Sequence, residues 1–489
     1  MALIQTMVKD TVIAKQKKYQ QGNLYLMLIC LTAGLGGFLF GFDTAVISGA
    51  INFLRVQFHL NAVMEGWIMS SALVGCVAGA AMSGLLADKF GRKKILLFSA
   101  LLFIISALGC AIAVTPAFLV IARILGGIGV GFAAMVAPMF ISELSPANIR
   151  GRLVSLYQLA ITLGILVSYL TNAGLLHYAR SHPMSDDSFM NFYLVTEVWR
   201  GMLGSNIIPA LLFFIFLLFV PESPRWLIKE DKTERATLIL ARINGMQDAM
   251  VELDDIRNTI SQEKGTYKQL LAPGIRIALI IGLVLPFLTQ LTGITTVMYY
   301  APAIFEKAGL GANSAMGSAA IIGSFNMIFT VVAIWKIDKW GRKPILIWGF
   351  IGLSVALFLI GILFNKATVN TEFLLVAFVL YIAIFAATLG PAVWVVISEI
   401  YPTKIRGRAM SLGTLSLFMG SVFVTQTYPV LRESVGIGNT FILYGLVMLP
   451  ASFFVKKMLP ETRGKSLEDI ERFWNQREKK KINEIFKVE

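Results

Sequence analysis

This 489-residue sequence is short of charge. Only 15% of its residues are Asp, Glu, Lys or Arg, against about 25% in ordinary soluble domains. So few charges could not cover two or three soluble domains. Cysteine is scarcer still. Cys30, Cys76 and Cys110 make an odd three set within apolar runs, which excludes a disulfide framework and fits no metal spacing. The three histidines, His59, His177 and His182, fall in or near polar connections, so no buried histidine relay is available. Catalytic motifs are missing too. Gly126-Gly127-Ile128-Gly129 lies in an apolar stretch and lacks the Lys-Ser/Thr ending of a phosphate loop. No enzyme activity, cofactor, metal or ATP-driven step is expected. Disorder is excluded as well, because 56% of the residues are hydrophobic.

What the chain has instead is long apolar runs. Residues 201–220, 344–365 and 373–398 carry no charge at all. A membrane-spanning helix needs about 20 such residues. The pattern predicts an all-α membrane protein with twelve spans: 23–50, 63–86, 95–114, 117–142, 153–176, 200–220, 275–303, 314–336, 344–364, 371–398, 409–430 and 437–457. Many are rich in Gly, Ala and Ser, such as VGCVAGAAMSG at 74–84, which lets helices approach closely in lipid. The first span is long and lacks a small-residue cleavage site, so it reads as a true span and not a signal peptide.

An even number of spans puts both termini on one side, and the basic residues say which. Arg55, Arg180, Arg200, Lys307, Lys366 and Arg432 fall on the side away from the termini, and Arg123 lies within a span. The other thirty-six of the 43 Lys and Arg residues share the side of the termini. Lys and Arg mark the cytoplasm. Residues 1–22, the connection 221–274 and the tail 458–489 are therefore expected to be cytoplasmic, and the protein to sit in the cell membrane. The net charge of +14 then needs no nucleic acid. Leu238, Leu240, Ile243 and Met246 suggest short amphipathic helices in the 221–274 connection.

The two halves, 23–220 and 275–457, repeat each other. ADKFGRKKI at 87–95 returns as IDKWGRKPI at 337–345, and ISELSPANIRGRLVSL at 141–156 returns as ISEIYPTKIRGRAMSL at 397–412. Six spans per half with matching connections is the mark of a transporter built from parallel repeats, with its site between them. Asp88 with Arg92, and Glu143 with Arg150 and Arg152, are expected to form ionic links from connections to the helix ends beside them at the cytoplasmic mouth, and Asp338, Arg342, Glu399, Arg406 and Arg408 repeat the set. Those links would hold the halves together when the carrier faces outward. The plainer alternative is that the bases only enforce topology.

Two ionisable residues lie well inside spans, Asp43 in the first and Arg123 in the fourth. An intramembrane charge costs about 2.5–3.5 kcal/mol on insertion scales and marks function by default. Facing inward, the two would neutralise each other. A purely structural pair with one fixed charge state is the alternative.

The sequence resembles the sugar porter family of the major facilitator superfamily, and among them bacterial proton–sugar symporters. The likeness rests on GGFLFGFDTAVISGA (36–50), ADKFGRKK (87–94), RILGGIGVGFA (123–133), PESPRWL (221–227), QLTGITTVMYYAP (290–302), GPAVWVVISEIYP (390–402) and PETRGKSLEDIE (460–471). The resemblance implies a major facilitator fold of two pseudo-symmetric six-helix halves. It implies that Asp43 is the proton site and Arg123 its partner, and that Glu222 and Arg225 join the cytoplasmic links. Gln158, Gln290, Tyr299, Asn326 and Trp394 match sugar-contacting positions, and Tyr300 a gate or lining position. The match weakens where the family has a glutamine at Thr289, an Asn at Thr295, a second span-5 glutamine at Ile165, and a polar–Trp pair at Leu417-Phe418. The expected function is proton-coupled symport of a monosaccharide, a polyol or a similar small solute, by a monomer in the bilayer. A passive facilitator is the alternative, and a sugar sensor a more distant one. Pro286, Gly293, Gly390 and Pro391 are expected to let spans 7 and 10 bend.

Overall fold

The computed structural model describes residues 2–146, 149–182, 189–262, 270–271, 275–366, 370–401, 405–463 and 472–474, with the backbone alone for 2–23, 189, 259, 261, 262 and 336–339. No strand occurs among the described residues. Among the described residues twelve helices are long and apolar enough to cross a membrane: Leu24–Gln57, Ala62–Phe90, Arg92–Ala111, Pro116–Leu144, Arg150–Ser181, Val198–Phe219, Ile275–Lys307, Ala312–Trp335, Arg342–Phe364, Thr371–Glu399, Arg406–Ser434 and Ile437–Met458. They are numbered here as spans 1 to 12. Each predicted span is found, and most run a few residues further than its apolar stretch. Polar end residues can continue a helix into the interface, where hydropathy no longer marks them.

Local chemistry sets several ends. Asn61 caps span 2, its Oδ1 accepting from the Met64 N–H at 2.8 Å. Thr115 caps span 4 through the Phe118 N–H at 3.2 Å, with Pro116 at a first-turn position where its missing N–H costs nothing. Gly91 (φ 99°) separates spans 2 and 3, and Gly341 (φ 81°) separates spans 8 and 9. A Cβ is strained at both, so one-residue turns at matched places need glycine.

Packing repeats between the halves. Spans 1 and 5 pack together in the first half, as spans 7 and 11 do in the second. Across the boundary, span 2 packs on span 11 and span 8 on span 5, a pseudo-symmetric pair of contacts. Spans 2 and 4 meet almost backbone to backbone. A Cβ on Gly127 would strike the Ala72 carbonyl, and one on Gly75 the Ile124 carbonyl. After span 6 come the short helices Pro224–Lys229, Thr233–Asn244 and Met246–Gln262. Trp226, Leu227, Ala236, Leu240, Ala249 and Leu253 give them a small core of their own. The side of the bundle that carries them is called the linker face below, and the opposite side the far face.

Spans 7 and 10 are broken. Span 7 consists of Ile275–Gln290 and Ile294–Lys307, with Gly293 left-handed at φ 81°. Span 10 breaks at Thr388, between Thr371–Ala387 and Leu389–Glu399. Pro286 lies within a helix, so the bend in span 7 is at Gly293. Gly390 and Pro391 open the second helix of span 10, where a proline ring is tolerated.

Candidate transport site

Asp43 and Arg123 meet inside the bundle. Arg123 is 1% exposed and Asp43 9%. Arg123 Nη2 lies 3.7 Å from Asp43 Oδ2, beyond a hydrogen bond but within ion-pair reach. Arg123 Nε donates to the Ile68 carbonyl at 3.2 Å. Nη1 and Nη2 have no hydrogen-bond partner among the described residues. The guanidinium is thus held by one carbonyl and one charge. A small displacement of span 4 against span 1 would leave both charges unmatched. Tyr299, from the other half, lies within electrostatic reach of both members. The pair therefore sits where the two halves adjoin.

Beside it are the positions expected to bind solute. Gln290 is buried at the break of span 7, and its Oε1 accepts from the Thr295 hydroxyl at 2.7 Å. Thr289 is buried with its hydroxyl already given to the Leu285 carbonyl at 2.9 Å. It can only accept from a ligand. Tyr299 and Tyr300 are buried. Tyr300 packs on Tyr428 of span 11, ring centroids 4.7 Å apart, and its hydroxyl has no partner among the described residues. Phe418 packs against Phe40 of span 1 at 6.0 Å, an apolar contact across the boundary between the halves. Gln158 and Trp394 are half-buried on spans 5 and 10, and Asn326 is buried on span 8. No hydrogen bond joins these three to Gln290 among the described residues.

On the linker face the repeated motifs form two matching clusters, and each lies within one half. In the first, Arg92 grips Glu143 with both Nε and Nη2 at 3.0 Å. Ser223 Oγ also donates to Glu143. Glu222 Oε1 accepts from the backbone N–H groups of Arg92 at 2.9 Å and Lys93 at 3.1 Å, at the start of span 3. In the second, Arg342 grips Glu399 at 3.2 and 2.9 Å, Thr462 donates to Glu399 at 2.6 Å, and Glu461 takes the N–H groups of Arg342 and Lys343 at 3.0 and 3.1 Å. Burial pushes the Glu222 carboxyl above its ordinary value, against the pull of the Ser223, Lys93 and Arg92 N–H groups. Burial pushes Glu461 up too, but the N–H groups of Arg463, Arg342, Lys343 and Thr462 outweigh it and hold that carboxyl below its ordinary value.

This corrects one expectation, the pairing of Glu143 with Arg150 and Arg152. The Arg92–Glu143 and Arg342–Glu399 pairs brace spans of a single half and do not join the halves. The partners of Glu143 are Arg92 and Ser223, whereas Arg150 Nε donates to the Ser145 carbonyl at 3.2 Å. Arg152 is exposed. Asp88 pairs with Arg92 at 3.2 Å and with Lys229 of the linker at 3.6 Å. Arg225, Arg406 and Arg408 are engaged in interactions of their own, and the Asp338 side chain lies outside the described residues.

The halves are clasped on the far face, at residues the sequence did not single out. Glu65, 1% exposed at the start of span 2, accepts from both Nη1 and Nη2 of Arg432 at 3.0 Å at the end of span 11. Arg55 lies 3.7 Å from the same carboxylate. Gln426 of span 11 accepts from Ser70 at 2.8 Å and donates to the Val63 carbonyl at 3.2 Å, both on span 2. Asn52 of span 1 donates to Glu306 of span 7.

The "Sugar (and other) transporter" family matches residues 29–474. The chain belongs to that family. It is 41% identical to the arabinose-proton symporter of Bacillus subtilis over 451 residues, which cover 92% of this chain and 95% of that one. It is 38% identical to the D-xylose-proton symporter of Escherichia coli, covering 94% and 98%. An inward open structure of the E. coli xylose transporter aligns with a TM-score of 0.79 at 36% identity, over 92% of this chain and 100% of that one. The likeness gives this family member the major facilitator fold and makes it a multi-pass membrane protein.

Proposed function

We propose that the chain is a proton-coupled symporter of a monosaccharide or a similar small polyhydroxylated solute. It works as a monomer by alternating access in the cell membrane. The observation that carries this reading is the buried Asp43–Arg123 pair, loosely held beside the boundary between the halves. A facilitator needs no such pair, and a buried charge pair with spare donors is costly to keep. Arabinose and xylose relatives named as proton symporters support it.

The linker face is the cytoplasmic one in this account, because the basic residues crowd there. The far face is then external, and the clasped far mouth makes this an inward-facing state. Residues 23–220 and 275–457 are the two bodies that rock, joined by 221–274. Solute entering from outside would meet Gln290, Tyr299, Asn326, Trp394 and Gln158 midway. Amides donate and accept toward hydroxyls, and aromatic rings lie on the apolar faces of a sugar. Protonation of Asp43 from outside would loosen its hold on Arg123 and license the loaded carrier to swing inward, and loss of that proton inside would let the empty carrier return. In the outward-facing state Asp88, Arg92, Glu143, Arg150, Arg152, Glu222, Arg225, Asp338, Arg342, Glu399, Arg406 and Arg408 would form the links that hold the two halves together at the cytoplasmic mouth.

The pocket test is binding. D-xylose, L-arabinose, D-glucose and myo-inositol are titrated against the purified protein by calorimetry. At least one should bind, and Gln290→Ala should weaken it by about 5- to 150-fold, the effect of about 1–3 kcal/mol from a lost buried hydrogen bond. Tight binding that survives Gln290→Ala would overturn the site assignment.

A further inference from the structure

We infer that Thr295 is a positioning residue that decides which end of the Gln290 amide meets the solute. The Nε2 end of the amide, with its two N–H donors, is then the end turned to the solute, where it meets an acceptor oxygen. The inference rests on the reading of Gln290 as a solute contact and adds its polarity.

The geometry follows from the break in span 7. In a continuous helix, residues five apart point about 140° from each other and do not touch. Here Gln290 ends one helix and Thr295 lies in the first turn of the next, with left-handed Gly293 between them. The turn brings Thr295 Oγ1 to 2.7 Å from Gln290 Oε1. The Gln290 stem is fixed from behind by span 11, where a Cβ on Gly420 would come within 3.1 Å of Gln290 Cβ. Thr289 does not compete, because its hydroxyl is spent on Leu285. A β-branched threonine has few rotamers, so the hydroxyl stays aimed at the amide oxygen. Thr295 takes one lone pair of Oε1 and turns that end toward itself, the Nε2 group has no acceptor among the described residues, and its two N–H donors are left for a ligand. A solute hydroxyl there is recognised as an acceptor.

The test uses sugar analogues that separate accepting from donating. The full-length protein is titrated with whichever of D-xylose, L-arabinose and D-glucose binds best, then with its monodeoxy and monodeoxyfluoro derivatives at each hydroxyl. Carbon-bound fluorine accepts weakly and cannot donate. At one position the fluoro sugar should bind within about three-fold of the parent, while the deoxy sugar loses about three- to ten-fold, the range of one hydrogen bond. Thr295→Ser should keep that pattern. Thr295→Val, similar in shape but without the hydroxyl, should raise the parent's Kd by about three- to ten-fold and erase the preference for fluorine over hydrogen. A merely structural role would move the melting temperature and leave the fluoro–deoxy pattern alone. Wild-type affinity and pattern in Thr295→Val, with binding still lost in Gln290→Ala, would overturn this inference and spare the site. Binding unaffected by Gln290→Ala, or no sugar bound by the wild type, would overturn the reading beneath it.

Discussion

Replacing Asp43 with Asn is expected to abolish uphill accumulation of solute and to leave exchange across the membrane intact. Asn keeps the shape and takes no proton, so the carrier loses its means of drawing on a proton gradient. Exchange needs only the loaded carrier to rock, which a neutral side chain permits. The magnitude is all or none for accumulation, because an uncoupled carrier cannot exceed equilibrium at any gradient. The substitution also leaves Arg123, 1% exposed, without its counterion. Stranding a buried charge costs up to about 3–5 kcal/mol, so a loss of stability is expected alongside. Arg123→Leu added to Asp43→Asn should recover that stability and leave accumulation absent, which separates folding from coupling. The measurement is labelled solute uptake into proteoliposomes with an imposed pH gradient, beside counterflow without one. Accumulation at the wild-type level by Asp43→Asn would contradict the assignment.

Breaking the far-face clasp should have an effect of similar size on the balance of states. Glu65→Gln leaves Arg432, whose side chain is 10% exposed, with a neutral partner in place of a bidentate carboxylate. It also removes the counter-charge of Arg55. Loss of one member of a buried pair costs up to about 3–5 kcal/mol, or about 150- to 4,000-fold in the ratio of far-closed to far-open carrier. Asn52–Glu306 and Gln426–Ser70 remain, so the shift should fall below that ceiling. Spin labels at exposed Val56 and Val435 should report a longer distance in Glu65→Gln. The swap Glu65→Arg with Arg432→Glu should shorten it again. An unchanged distance distribution would show that the clasp does not hold the mouth.

Much of the fold was legible because lipid imposes it. Every backbone group must be satisfied within a helix, so hydropathy alone located the twelve spans, and repeated motifs gave the two halves. The Asp43–Arg123 pair was legible for the same reason, since any charge within a span stands out. The clasp was not, because Glu65 and Arg432 lie 367 positions apart and each reads as an ordinary loop-end charge. The linker-face clusters were half legible. Arg92, Glu143, Arg342 and Glu399 recur at matched spacing, but spacing cannot tell a brace within a half from a link between halves. The roles of Glu222 and Glu461 at helix starts needed coordinates, since they follow the sixth and twelfth spans and reach back to the third and ninth. The Thr388 break in span 10 had no proline or glycine of its own to mark it. The neighbours Gly390 and Pro391 pointed to it within three residues.

Proton movement driven by sugar tests the account most directly. Unbuffered proteoliposomes holding the wild-type protein receive a pulse of the sugar that binds best, with no imposed gradient, and the external pH is recorded. The account predicts that the medium turns alkaline as sugar enters, that a proton ionophore abolishes the signal, and that Asp43→Asn gives none. Sugar entry with no change in external pH would contradict proton coupling and leave a passive carrier.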